Sequence, residues 1–325
     1  MRAIVHHEFG DPAEVLGAED LPLPEPGPRE VRLRVLFSPI HNHDLWTVRG
    51  TYGYKPELPA RAGTEAVGIV DAVGDEVEGI EVGRRVATAG TFGVWAEYVI
   101  AKAGAVVPVP DGIPDEVAAQ LISMPFSALS LVEFLGVSAG DVMLQNTANG
   151  TVGRLVAQIA ASRGIRVIGL VRREDEVDAL ADAGIPDVVA TVGDDWPERV
   201  RRLVGDQPIR TAVDSVGGTA SGELLHLLAE GGTLVSFGAM ASDRMELSSG
   251  DLIFKQAIVK GFWGSKVSSA MAPETRRALF GELFELIGSG RLTLPVDSIH
   301  PLEDVRAAVE ASLTPGRVGK VLLRP

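Results

Sequence analysis

DVMLQNTANGTVGRLVAQIAASRG, Asp141 to Gly164, is a short apolar strand that turns through two glycines into an amphipathic helix. Each position of the turn has a physical task. Gly150 lets the backbone approach a pyrophosphate, and Gly153 lets the helix pack closely on the strand before it. The backbone N–H groups of the first helical turn, from Asn149, Gly150 and Thr151 through Val152 and Gly153, then face phosphate oxygens, helped by the helix dipole. Ala148 stands where such turns commonly carry a first glycine. The context of strand, turn and helix makes this a dinucleotide site rather than an ordinary connection.

Outward from that turn the pattern repeats. IRVIGLV, DVVAT, TAVDSVG and TLVSFG are strand-like runs, and amphipathic helical stretches of the SGELLHLLAEGG kind alternate with them. This alternation predicts a doubly wound parallel sheet. A last strand, AIVKGFWG, precedes the helix TRRALFGELFELIGSG. The first third reads differently: Val31–Phe37, Ala66–Val73 and Arg85–Ala89 are short β-rich runs between Gly/Pro turns, which predicts an antiparallel, barrel-like arrangement. The tail ends in GRVGKVLLRP, a strand expected to rejoin the first domain because a lone strand needs a sheet partner. The strand IRVIGLV ends at Val171 and is followed by Arg172 and Arg173. An NAD site usually places a carboxylate here for the ribose 2′-hydroxyl, whereas two guanidinium groups suit a 2′-phosphate. The expected cofactor is therefore NADPH.

The 325 residues suffice for two domains. A formal charge of −14 disfavours nucleic acid and anionic membrane as partners and leaves a small molecule as the expected substrate. The absence of cysteine excludes disulfides and thiolate metal sites. MRAIVHHEFGDP contains no apolar signal core, so the expected location is the cytoplasm.

These residues resemble the medium-chain dehydrogenases/reductases, and within them the zinc-free 2-enoyl thioester reductases and quinone reductases. GTYGYKPEL (Gly50–Leu58), QNTANG (Gln145–Gly150), SFGAM (Ser236–Met240) and DLIFKQAIVKGFWG (Asp251–Gly264) are similar to the former, and GTEAVG (Gly63–Gly68) to the latter. The resemblance implies a Rossmann domain, residues 123–264, inserted into a GroES-like, mostly antiparallel β-barrel domain, residues 1–122 plus 265–325. It implies cofactor contacts near the nicotinamide from Phe237, Gly238, Ala239 and Met240 and from Phe262, Trp263 and Gly264, with a further contact from Lys320. It also implies a homodimer paired through the last Rossmann strand, AIVKGFW, whose apolar edge would otherwise lie open. Met124 stands where the thioester reductases tend to place an Asn, and Glu174 where they place a second phosphate-binding Arg.

The catalytic zinc ligands of the alcohol dehydrogenases in this superfamily correspond to His41, Thr64 and Ser123, of which only the imidazole is a good zinc ligand. No bound metal is expected. His41 and His43, two apart on an expected strand, can face one side; His41 is assigned to the wall of the substrate pocket together with Met124 and Trp263. Reduction of an activated C=C bond requires a proton at the α-carbon, and a tyrosine is protonated at neutral pH. Tyr52, in GTYG, matches the tyrosine that the enoyl thioester reductases are thought to use as the acid. Tyr54 is the local competitor, and Tyr98 lies in the strand-like WAEYVI. The expected reaction is thus NADPH-dependent reduction of a 2-enoyl thioester or an α,β-unsaturated carbonyl. Quinone reduction and cofactor binding without catalysis remain the alternatives. Arg49, Lys55, Arg61 and Lys266 are the candidates for a basic entrance to a thioester's phosphates.

Overall fold

A computed structural model describes residues 1–325, with sixteen strands. In chain order they are β1 (Arg2–His6), β2 (Gly17–Asp20), β3 (Glu30–Pro39), β4 (Ala60–Arg61), β5 (Glu65–Val73), β6 (Arg85–Ala89), β7 (Tyr98–Lys102) and β8 (Val106–Pro108). They continue with β9 (Val142–Gln145), β10 (Arg166–Val171), β11 (Val188–Ala190), β12 (Thr211–Asp214), β13 (Thr233–Ser236), β14 (Ile258–Gly261), β15 (Val296–Pro301) and β16 (Lys320–Arg324). The chain divides into two compact units, Met1–Ser123 with Leu294–Pro325, and Met124–Thr293.

The second unit holds a six-stranded sheet in the order β11-β10-β9-β12-β13-β14, every pairing parallel. Strand order reverses between β9 and β12, the switch point where open α/β sheets bind ligands beyond their carboxyl ends. β9, β10, β11 and β12 are buried on both faces, so they read as continuous apolar runs rather than alternating ones. Leu144, Ile168, Ala212 and Leu234 sit in one core with Val200 and Leu225 from the flanking helices.

The segment 265–293, which sequence reading placed with the first domain, lies in this second unit. Its main helix, Pro273–Gly288, buries Leu279, Leu283 and Leu286, an i, i+4, i+7 stripe. Phe280 stacks on Phe126 of the helix Ser123–Leu135 with centroids 4.4 Å apart. Arg163 bridges Glu133 and Glu282 at 2.6 and 2.7 Å. The amphipathic pattern revealed the helix, but these long-range contacts decide which core it covers.

The first unit carries a three-stranded antiparallel sheet, β2-β1-β4, and a seven-stranded sheet running β15-β16-β3-β5-β6-β8, with β7 also paired to β3. All pairings in the larger sheet are antiparallel except β15 with β16. The strand pairings do not close on themselves, so the expected barrel is an open one, with β15 and β8 as free ends. The terminal strand β16 joins β3 through Leu322 opposite Pro39 and Leu323 opposite Ser38. Trp95, fully buried, donates from Nε1 to the carbonyl of Pro39 at 3.3 Å and anchors the chain just before His41. No helix is long and apolar enough to cross a membrane.

Candidate active site

In the second unit, β9 leads through Asn146–Ala148 to Gly150, the residue that caps the helix Thr151–Ser162. Thr147 adopts a positive φ of 51°, which bends the loop back. Gly153 has no room for a side chain: a Cβ there would lie 2.5 Å from the Thr147 carbonyl and 2.9 Å from Ala148 Cα. Gln145 closes the same turn by donating to the Gly153 carbonyl at 2.8 Å. Gly150 supplies no side-chain cap, so the first-turn N–H groups of this twelve-residue helix have no side-chain acceptor. A close-packed glycine cradle and an uncapped helix start fit the diphosphate of a dinucleotide.

Beyond β10 the two arginines differ. Arg173 is held by Asp175 at 3.1 Å and by Glu176 at 2.9 Å, while Arg172 is exposed and makes no ion pair. Glu174 pairs with Arg199 instead. Asn149 donates from Nδ2 to Glu176 at 2.8 Å, tying the phosphate loop to this corner. Glu176 is buried and was not foreseen from sequence; its place three residues past Arg173, on the helix Glu174–Asp182, was the available signal.

At the ends of β13 and β14, Phe237 and Gly238 both donate backbone N–H groups to the Asp214 carbonyl, at 2.7 and 3.2 Å. Ala239 and Met240 follow, with Met240 exposed. Phe262 is buried against Phe237 and Phe134. Trp263 is 44% exposed, with Lys266 Nζ 5.0 Å from its ring, and caps the helix Gly264–Ala270. A Cβ at Gly264 would lie 2.9 Å from Ser127 Oγ, so this turn also packs tightly. Met124 is half-buried at the start of its helix.

The first unit builds a buried polar cluster. His43 belongs not to a strand but to the helix Asn42–Arg49, which His41 precedes; the two rings still stack, with centroids 5.0 Å apart. Asp44 starts this helix, accepting from the His41 N–H at 2.9 Å. Gly50, left-handed at φ 71°, ends it and turns the chain so that the N–H groups of Thr51 and Tyr52 both donate to Trp46 O. That turn sets the half-buried Tyr52 ring 5.8 Å from His43.

His41 is 1% exposed, enclosed within this cluster. Its Nε2 meets Glu65 Oε2 at 2.7 Å, and its Nδ1 has no partner. Glu65 Oε1 accepts from the N–H groups of Ile122 and Ser123 at 2.6 and 2.8 Å. Burial pushes the Glu65 carboxyl up to about 7, against the pull of those donors. Burial, then the charge of Lys320, holds the His41 imidazole well below its ordinary value. Lys320 is itself buried, pushed down to about 8 by desolvation and then by Arg317, and its Nζ lies 3.5 Å from Ile40 O. Thr64 donates to Asp44 Oδ1 at 2.6 Å and lies 2.7 Å from His43 Nε2. Glu65, Asp44 and the role of Thr64 were missed from sequence; an acidic residue opening the apolar strand EAVGIVDAV was the visible clue to the first.

A cavity of about 220 Å³ opens beside this cluster, lined by His6, Asp44, Tyr54, Arg61, Thr64 and Phe92 among others. Tyr54 stacks on Phe92 in its wall, at 4.5 Å. The donor set does not fit zinc. His41 Nε2 is taken by Glu65, the Thr64 hydroxyl by Asp44 and His43, and no group of three or more His, Cys, Asp or Glu is placed to hold a metal ion.

Residues 27–111 match the alcohol dehydrogenase GroES-like domain and residues 151–280 the zinc-binding dehydrogenase family. The chain is 37% identical over 330 residues to the mitochondrial enoyl-[acyl-carrier-protein] reductase of Homo sapiens, covering 99% of this chain and 88% of that one. The chain belongs to the zinc-free branch of the medium-chain dehydrogenase/reductase family. The corresponding reductase of Arabidopsis thaliana is 31% identical, covering 98% and 86% of the two chains. Among solved structures, a putative NADPH:quinone reductase from Bacillus thuringiensis superimposes with a TM-score of 0.91 at 30% identity, covering 100% of this chain and 98% of that one. The Escherichia coli quinone oxidoreductase complexed with NADPH gives a TM-score of 0.88 at 28% identity, with both chains fully covered.

Proposed function

We propose that this medium-chain reductase uses NADPH to reduce an activated C=C bond, in a 2-enoyl thioester or an α,β-unsaturated ketone or aldehyde, without a metal ion. NADPH, when bound, supplies the hydride for the β-carbon. Asn149, Gly150, Thr151, Val152 and Gly153 hold its diphosphate, and Arg172 reads the 2′-phosphate while Arg173 braces the corner through Glu176. Phe237 to Met240, Phe262 to Gly264 and Lys320 are assigned to the remaining cofactor contacts, and Met124 and Trp263 to the acyl path. Residues 1–123 and 294–325 form the substrate domain in this reading, and residues 124–293 the cofactor domain.

Tyr52 carries the chemical assignment. It is a half-buried phenol whose ring lies 5.8 Å from that of His43 at the edge of the buried polar cluster, and we assign it as the acid that protonates the α-carbon. The full-length likeness to enoyl reductases supports the same substrate class. Quinone reduction is the second reading, favoured by the likeness to a putative NADPH:quinone reductase. NADPH oxidation should be followed with a crotonyl thioester, a simple enone and a quinone. Turnover of the quinone alone would replace the first reading by the second, and turnover of none would leave a cofactor-binding protein without catalysis.

A second copy of the chain is the proposed partner. β14 is the outer strand of its sheet, and Ile258 on it is 54% exposed. Ile253 and Phe254, just before it, are 66% and 84% exposed, an apolar edge suited to pairing across a two-fold axis. The reading places the protein in the cytoplasm; the relatives above are named as mitochondrial, and cell fractionation decides between the two.

A further inference from the structure

The hydrogen bonds around Thr64 fix the direction of a proton path. A carboxylate can only accept, so the Thr64 hydroxyl spends its one proton on Asp44 Oδ1, 2.6 Å away. Its remaining lone pair faces His43 Nε2 at 2.7 Å, and that nitrogen must therefore be the N–H donor. The neutral imidazole is thus locked with the proton on Nε2 and the lone pair on Nδ1. Direct contact with Asp44 is longer, 3.6 Å, so the threonine is the link. His43 is 22% exposed, with the Tyr52 ring 5.8 Å from its own. An imidazole has two ring nitrogens, so it can hold one proton towards Thr64 and pass another from the opposite side.

We propose that Asp44, Thr64 and His43 form a proton relay that recharges Tyr52 after each turnover. The proposal rests on the reading of Tyr52 as the acid. In the acid step the phenol O–H bond breaks and a C–H bond forms at the α-carbon of the enolate, leaving a phenolate. The imidazolium then gives its Nδ1 proton to the phenolate oxygen, directly or over one water, and the neutral imidazole regains a proton from solvent at its exposed edge. The Asp44 carboxylate, acting through Thr64, stabilises the imidazolium form and orients the ring, as a buried carboxylate does for a catalytic histidine. The other titratable groups around His43 are Tyr52 and His41, whose rings neighbour its own, and Glu65, on which its charge acts; Lys320 and Arg317 act on His41 behind it. His43 and Thr64 are positioning and relay residues; neither is required to touch the substrate.

The first test needs neither cofactor nor turnover. Nitrogen-15 NMR of the imidazoles should show His43 as the Nε2–H tautomer in the wild type and a mixture of tautomers in Thr64→Val, with Thr64→Ser restoring the wild-type pattern. Identical spectra for wild type and Thr64→Val would overturn the proposal. In kinetics, His43→Ala should lower kcat by about ten- to a hundred-fold, within the range of a single proton-transfer group, and leave both KM values nearly unchanged. Its pH profile should lose the alkaline limb, and added imidazole should restore part of the rate. A His43→Ala enzyme at wild-type rate, or one that is slow but neither rescued by imidazole nor altered in pH profile, would overturn the relay. Tyr52→Phe separates the layers. If Tyr52→Phe is slow and His43→Ala is not, the relay alone falls; if Tyr52→Phe turns over at full rate, the acid assignment falls and the relay with it.

Discussion

Buried titratable groups give the first unit its character, and their pH behaviour can be read from burial alone. Glu65 has a raised carboxyl, so it favours the folded state at acid pH and loses that contribution as pH rises through about 7. His41 has a depressed imidazole, which contributes above its ordinary value and loses its contribution as pH falls. The two slopes oppose each other, and the pair behaves as a unit sharing one proton across 2.7 Å. Glu65→Gln leaves only the imidazole. The variant should therefore lose stability faster than wild type on acidification from about pH 7 to about pH 5, measured by denaturant unfolding at intermediate values. Parallel curves would refute the coupling. Tyr52→Phe should slow turnover by about ten- to ten-thousand-fold with any enoyl substrate, the range for one acid–base group, while cofactor binding measured by fluorescence stays put. Arg172→Ala should raise KM for NADPH roughly tenfold or more and leave KM for NADH nearly unchanged, because a guanidinium with no ion pair is the one able to receive a 2′-phosphate. Arg173→Ala, already neutralised by Asp175 and Glu176, should change the NADPH preference much less. Tyr52 stood out in the sequence as one of only three tyrosines, set in a Gly-flanked turn, and Arg172 because it directly follows the apolar strand IRVIGLV. The Asp44–Thr64–His43 and His41–Glu65 pairings did not, since each joins residues about twenty positions apart that meet only once β5 and the helix Asn42–Arg49 are packed.

Among the elements, the turn between β9 and the following helix was the most legible, because everything it needs lies within nine residues and glycine is the only residue that fits. Gly153→Ala would drive a methyl group into the Thr147 carbonyl. The strand and helix must then separate, which should cost about 1–3 kcal/mol of stability, as overpacking does, and weaken NADPH binding at least tenfold. Urea melts and a fluorescence titration measure the two, and a variant with unchanged affinity would remove the cradle from the cofactor site. The HNHDLWTVR segment was hard to read because it is short and polar and lacks an apolar stripe of helical period. Its helix is defined by the Asp44 carboxylate at one end and the left-handed Gly50 at the other. The helix Pro273–Gly288 was recognisable as a helix, but not its owner, because a stripe of leucines says that a face is buried and not beneath which sheet.

For the whole molecule, the parallel sheet was evident from alternating elements, whereas the strand pairings of the first unit depend on long-range partners such as β16 against β3. Association is the prediction proper to this scale. Phe254→Asp puts a charge on an 84% exposed ring beside the free edge of β14, and it should turn a dimer into a monomer of unaltered secondary structure. Light scattering across a dilution series reads the mass, and a wild type that is monomeric throughout would dismiss the pairing. The division of the chain also has a consequence for biosynthesis. Residues 124–293 leave the ribosome as one uninterrupted length and can collapse while translation continues, whereas the larger antiparallel sheet lacks β15 and β16 until residues 294–325 have been translated. Lys320, whose charge acts on His41, emerges after residues 124–293, so the parallel sheet can form before the buried polar cluster around His41 is complete.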